Sequence, residues 1–204
     1  TVSISGDYVV VTGKGEGSAT IAVKVAEGSN HLAPSNKTAS VSVTKPTVAN
    51  STWDNIKAIS EAGNAASYFA VGDVKAIKIN GSVQGYTFSN LTVNAFILGF
   101  NHNSSREGNN RIHWLIGKIG GKDVALCDSK YNNSGSDAGF RMNQSNTNSG
   151  GWNGSYMRKT VLGNSGTPSS PPANSLLAAL PSDLRAVMKG TTKYTDNTGG
   201  GSDT

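Results

Sequence analysis

The chain carries a single cysteine, Cys127, so no intrachain disulfide can close. Cys127 ends the apolar run Val124-Ala125-Leu126-Cys127, a context for a small buried hydrophobe rather than a reactive thiol. Charge is scarce as well. Only 15% of residues are Asp, Glu, Lys or Arg, against about a quarter in an average globular chain, so solubility falls to Asn, Ser, Thr and Gly. No apolar run reaches the ~20 residues of a membrane-spanning helix, and membrane insertion is not expected. Thr1 runs directly into a strand-like pattern rather than a secretory leader. The three histidines, His31, His102 and His113, show no zinc-ligand spacing. One cysteine cannot complete a thiolate site, so neither metal nor cofactor is expected.

What charge there is leaves a net +5. The lysines that carry it, among them Lys14, Lys24, Lys57, Lys78, Lys118 and Lys130, are scattered. They form no cluster and no aromatic-interleaved stripe. Dispersed positive charge is a solubility property before it is a binding one, which argues against nucleic acid as partner.

What is present is short β-type runs between turn residues, a pattern that suits turn-rich β and α+β architecture. Val2 to Ile4 and Tyr8 to Val11 flank Gly6-Asp7, a hairpin signal. Ala19 to Val25 and Ala39 to Val43 alternate with period two, which predicts one buried and one wet face, as in a sandwich. The glycines at 13, 15 and 17 lack the following Lys-Ser/Thr and helix of a phosphate loop and read as a turn. Residues 46 to 51 (KPTVANS with Lys45) read as a linker, because Pro46 ends the strand.

Beyond the linker, Thr52 is placed to cap a helix with Trp53, Ile56 and Ile59 on one face, and Gly63 to stop it. Val74 to Ile79 reads as a strand with Asn80-Gly81 as the turn, and Thr92 to Phe100 as a central strand. Arg111 to Ile116 is the next strand, then Asp123 to Cys127. The long polar loop from Asp128 to Gly151 leads into a helix at Ser155 to Gly163. Ser155 is the expected N-cap and Gly163 the left-handed closing residue. Two short helices, Ser175 to Leu180 and Ser182 to Met188, meet at Pro181. Residues 199 to 204 read as a flexible tail.

Candidate chemistry concentrates in two loops. Asn101, His102, Asn103 and Glu107 offer oxygen and nitrogen donors between two predicted core strands. Calcium is disfavoured there, because Glu107 is the only acid and Gly108 is misplaced for the sharp turn. In the second loop, Asn143 offers an amide, and Tyr131 offers a face for stacking on a sugar ring. His113 beside Trp114 reads as a hydrogen-bonded structural histidine, with no third residue in the sequence to orient it as a base. Asp123, Asp128, Asp137 and Asp183 suit turns and helix caps. Trp53, Trp114 and Trp152 read as interior anchors, with Ser155 as cap and Arg158 as a clamp whose planar fork reaches backbone carbonyls or a carboxylate.

Two resemblances extend this reading. Val9 to Gly13 (VVVTG), Gly15 to Ile21 (GEGSATI) and Ala39 to Thr44 (ASVSVT) resemble the later strands of a bacterial group 2 immunoglobulin-like module. Such a sandwich needs about seven strands, so residues 1 to 45 are expected to be part of a module, with strand edges open for pairing with another chain. The second set is Trp53 to Ile56 (WDNI), Tyr68 to Asp73 (YFAVGD), Ala95 to Phe100 (AFILGF), Arg111 to Trp114 (RIHW), Trp152 to Arg158 (WNGSYMR) and Leu180 to Arg185 (LPSDLR). In order and spacing it resembles an uncharacterised domain family of gut-bacterial surface proteins and phages. That family is similar to the C-type-lectin-like fold of formylglycine-generating enzymes and of phage receptor-binding proteins. The resemblance implies a ligand-recognising domain of a family whose members continue past the position of Thr204; the lone Cys127 does not match the cysteine motif of formylglycine-generating chemistry.

The expectation is therefore an α+β chain. A partial all-β immunoglobulin-like module at 1–45 and a linker at 46–51 precede a truncated C-type-lectin-like domain at 52–198 and a tail at 199–204. The expected role is non-catalytic display or adhesion on a virion or bacterial surface. Its partners would be a cell-surface glycan or protein and neighbouring surface chains, including copies of itself through open strand edges. An architectural tail or head decoration is the alternative.

Overall fold

A computed structural model describes residues 1–119, 122–123, 142–145, 147 and 149–191. Cys127, Asp128, Tyr131, Asp137, Phe140 and the tail at 199–204 lie outside the described residues. The chain divides into two compact units, Thr1–Pro46 and Thr47–Thr204, and it combines helices with small antiparallel sheets, an α+β composition.

The first unit contains β1 (Val2–Ser5), β2 (Tyr8–Val11), β3 (Gly17–Val23) and β4 (Lys37–Val43). Among the described residues β1 pairs only with β2 and β3 only with β4, both antiparallel. Gly6 turns the first hairpin with φ +57°, the left-handed conformation that glycine adopts without strain. The buried face expected from the alternation is not formed. Ile21, Val41 and Val43 are half-buried, while Val2, Ile4, Val23 and Val25 are exposed. A two-stranded sheet has no second layer to cover its apolar side.

The second unit holds the core. Its first residues were expected to be linker, but Val48 is 2% exposed and belongs to the core cluster. Thr47 and Asn50 cap each other, with Thr47 N donating to Asn50 Oδ1 and Asn50 N to Thr47 Oγ1. Lys75 Nζ donates to the carbonyls of Val48 and Ser51. The apolar contact and these hydrogen bonds fix the segment, so the break falls at Pro46. Helix α1 (Trp53–Glu61) starts where Thr52 Oγ1 accepts from Asn55 N at 3.1 Å. It buries Trp53, Ile56 and Ser60 and ends before Gly63 at φ +78°. A single turn, α2 (Ala65–Tyr68), follows.

Strands β5 (Val74–Val83), β6 (Tyr86–Phe100), β7 (Ile112–Ile119) and β8 (Lys122–Asp123) form one antiparallel sheet in that order. β6 is internal, as its hydrophobicity predicts. Asn80-Gly81 is not the turn. β5 runs through it with a register shift between Ile79 and Gly81, and the chain reverses at Gln84-Gly85, with φ +48° and +89°. The reason is Val83, which is fully buried; a turn at Asn80 would pull it from the core. Ile77, Ile79, Val93, Ala95 and Ile97 make the buried face of the sheet.

Short helical pieces cover that face: α4 (Gly151–Gly154), a π-helical turn (Met157–Val161), α5 (Leu176–Ala179) and α6 (Ser182–Val187). Met157 and Val161 are fully buried. Trp152, expected as interior, is only half-buried and packs at the core margin. α4 is one turn long, and the next turn supplies the side chains that fill the centre. Ser155 does cap: its Oγ accepts from Arg158 N at 3.1 Å and donates to Trp152 O at 2.8 Å. The turn that follows is π-helical rather than α-helical. Arg158 clamps, with Nη1 donating to Asn153 O and the guanidinium lying against the Asn164 carboxamide. Gly163, at φ +90°, leaves no room for a Cβ, which would lie 2.6 Å from Ser175 Oγ.

Ile97 is completely buried in the second unit, whereas Ile4 is 81% exposed in the first. Ile97→Ala is expected to cost about 3 kcal/mol and Ile4→Ala less than about 0.5 kcal/mol. Urea unfolding followed by tryptophan fluorescence checks the first directly, since all three tryptophans lie in the second unit.

Candidate binding site

The β6–β7 connection, residues 101–110, is built as a fixed loop. Asn101 has φ +54°, a conformation Asn tolerates better than most residues. Its N–H donates to Arg111 O and its Oδ1 accepts from Arg111 N, both at 2.9 Å. The pair of bonds closes the loop at its base. Asn103 O accepts from the N–H groups of Arg106 and Glu107, which starts the single helical turn α3 (Ser104–Glu107), and Gly108 ends it at φ +76°.

That turn sends Glu107 inward. Its side chain is 2% exposed and its Oε2 lies 2.9 Å from Nε2 of His113, itself 6% exposed, on β7. Glu107 is therefore not a solvated donor at the loop surface. The sequence offered His113 no orienting partner because the acid is six residues away and reaches it only through α3. An isolated acid at the end of a short loop, followed by a histidine in a strand, was the available signal. Nε2 faces the carboxylate, and Nδ1 is buried with no hydrogen-bond partner among the described residues. A nitrogen shut away in this manner does not reach a substrate, so the pair suits a structural role.

His102 stacks on His113, ring centroids 4.9 Å apart and planes at 13°. Gly99 makes the space: a Cβ there would fall 2.0 Å from His102 Nε2. Stacked rings aim their nitrogens side by side rather than at a common point, and among the described residues no group of His, Cys, Asp and Glu could hold a metal ion. Arg111 ties the loop outward, Nε to Glu107 O and Nη1 to Gly190 O, both at 3.1 Å. Ser60 Oγ donates to Asn110 O, and Asn110 Nδ2 to Glu61 O, which fastens the loop to the end of α1.

Beside the loop a cleft of about 310 Å³ opens between α1, the β6–β7 pair and α6. Trp53 and Trp114 meet edge to face in its wall, 5.2 Å apart at 73°, and Lys75 Nζ lies 5.5 Å from the Trp53 ring. Its rim carries Lys57, Glu61, Arg111 and Lys189, with Glu61 and Lys189 joined at 3.2 Å. The other candidates are dispersed. Asn143 spends its carboxamide internally, accepting from Tyr156 N and donating to Thr147 O. Tyr131 and most of the 128–151 loop lie outside the described residues. Comparison with family models, curated proteins and solved structures found no match for this chain.

Gly99→Ala is expected to push the His102 ring off His113. Imidazole resonances in NMR should lose their mutual ring-current shift, and stability should fall by about 1 kcal/mol, the size of one aromatic pair.

Proposed function

We propose that the protein is a non-catalytic display or adhesion module of a virion or bacterial surface, with loop 101–110 as the edge that meets a cell-surface glycan or protein. The observation that carries this is the division of labour within the loop. Asn101, Glu107, Asn110 and Arg111 are committed to holding it and His102 to the ring of His113, while Ser104 and Ser105 are exposed. A loop held by its scaffold loses little entropy when it binds, which is why recognition concentrates on such loops.

The C-type-lectin-like affiliation of the second unit and the partial immunoglobulin-like character of the first rest on their sequence motifs. The α+β composition and short antiparallel sheets are compatible with both. The architectural alternative draws on a separate observation: Val2, Ile4, Tyr8, Val9 and Val10 are exposed on a two-stranded sheet with open edges, which suits pairing with other chains of an assembly or with further copies.

Whole-cell binding and glycan-array measurements separate the two. Ser104→Ala and Ser105→Ala combined should weaken binding by about tenfold or more with the fold retained. Undiminished binding by that variant overturns the loop assignment. A wild-type chain that binds nothing but assembles with rising concentration favours architecture.

A further inference from the structure

The cleft beside the loop has a composition that selects a ligand. Its walls are apolar: Ile112, Trp114, Ile116 and Val187 line it half-buried, backed by the buried Ile56 and Leu184. Its volume, about 310 Å³, stands at the lower end of the ~300–1,000 Å³ range of small-molecule sites. Its mouth is open to solvent, because Lys57, Glu61, Met188 and Lys189 line it and are themselves exposed. Met188, 37% exposed, gives one lip an unbranched side chain that adjusts to its occupant.

Charge at the mouth is one-sided. Lys57, Arg111 and Lys189 face the single exposed acid Glu61, since Glu107 is turned inward onto His113. Arg111 spends its guanidinium on the backbone carbonyls of Glu107 and Gly190. Lys189 holds Glu61 in a surface pair, of a kind worth at most about 1 kcal/mol and readily exchanged. Lys57 has no hydrogen-bond or ion-pair partner among the described residues. An apolar body fills such a cleft with gain, and an anionic head is what its rim lacks.

We propose that the cleft binds an amphiphilic carboxylate, a small aliphatic or aryl acid whose body lies against Trp114 and Ile116 and whose head meets Lys57 and Lys189. The cleft shares His102, Glu107 and Asn110 with loop 101–110, but its proposed contacts, Lys57, Lys189, Trp114 and Ile116, lie outside that loop, so the two readings are tested by different residues.

The test uses the full chain and three probes of equal length: octanoate, octan-1-ol and octylammonium. Methyl and indole NMR resonances of Ile112, Trp114, Ile116 and Val187 are followed in titration. Octanoate should shift them, with a dissociation constant about tenfold below that of octylammonium. Lys57→Glu, an exposed substitution that leaves the wall intact, should weaken octanoate by about fivefold and leave octan-1-ol unchanged. Absence of octanoate-induced shifts at these residues overturns the proposal. So does equal affinity for all three probes, or an octanoate affinity indifferent to Lys57→Glu. Because the readout is the cleft resonances of the unmodified loop, a failed cell-binding experiment leaves this result unaffected.

Discussion

The contact of the buried Glu107 carboxylate with His113 is the one on which loop 101–110 depends. A carboxylate taken from water costs several kcal/mol unless it is paired and hydrogen-bonded. The structure meets that cost with the imidazole of a core strand at 2.9 Å. The consequence is mechanical. α3 must stay closed to keep Glu107 inward, and the loop that contains α3 is then held over β7. Asn101 adds hydrogen bonds to Arg111, Asn110 one to α1 and Arg111 one to Gly190. Even Gly99 belongs to this arrangement, since its missing Cβ is the space His102 occupies on the His113 ring.

Beneath the loop the two units differ in how they use apolar residues. In the second, the four-stranded sheet sets Ile77, Ile79, Val93, Ala95 and Ile97 against Met157, Val161 and the short helices. None of those helices after α1 exceeds two turns, so they owe their stability to this packing rather than to propensity. The first unit has comparable residues at comparable alternation but only pairs of strands, and its valines remain at the surface. Alternation specifies which face is apolar. Whether that face is buried depends on a second layer.

Much of this was legible in the sequence, for identifiable reasons. Thr52 as cap, Gly63 as stop, the hairpin at Gly6-Asp7 and β6 as internal strand are set by local chemistry, which a linear reading captures. The errors share the opposite cause. Asn80-Gly81 has strong turn chemistry, yet Val83 three residues on had a place in the core, and packing prevailed. Val48 looked like linker because one valine among polar neighbours carries no periodicity, although it fills the core. Trp152 looked interior by size, but Met157 and Val161 occupy the centre. Glu107 was visible as a donor and His113 as a structural histidine. Their pairing requires a turn of four residues that no local pattern announces.

The most direct measurement of the central claim is a double-mutant cycle between Glu107→Gln and His113→Gln, read by urea unfolding together with amide exchange across 101–110. If the buried contact holds the loop, the two sites couple by about 2 kcal/mol, and either single change speeds exchange throughout the loop. Additive effects on stability, with loop amides as protected in the single variants as in the parent, would contradict it.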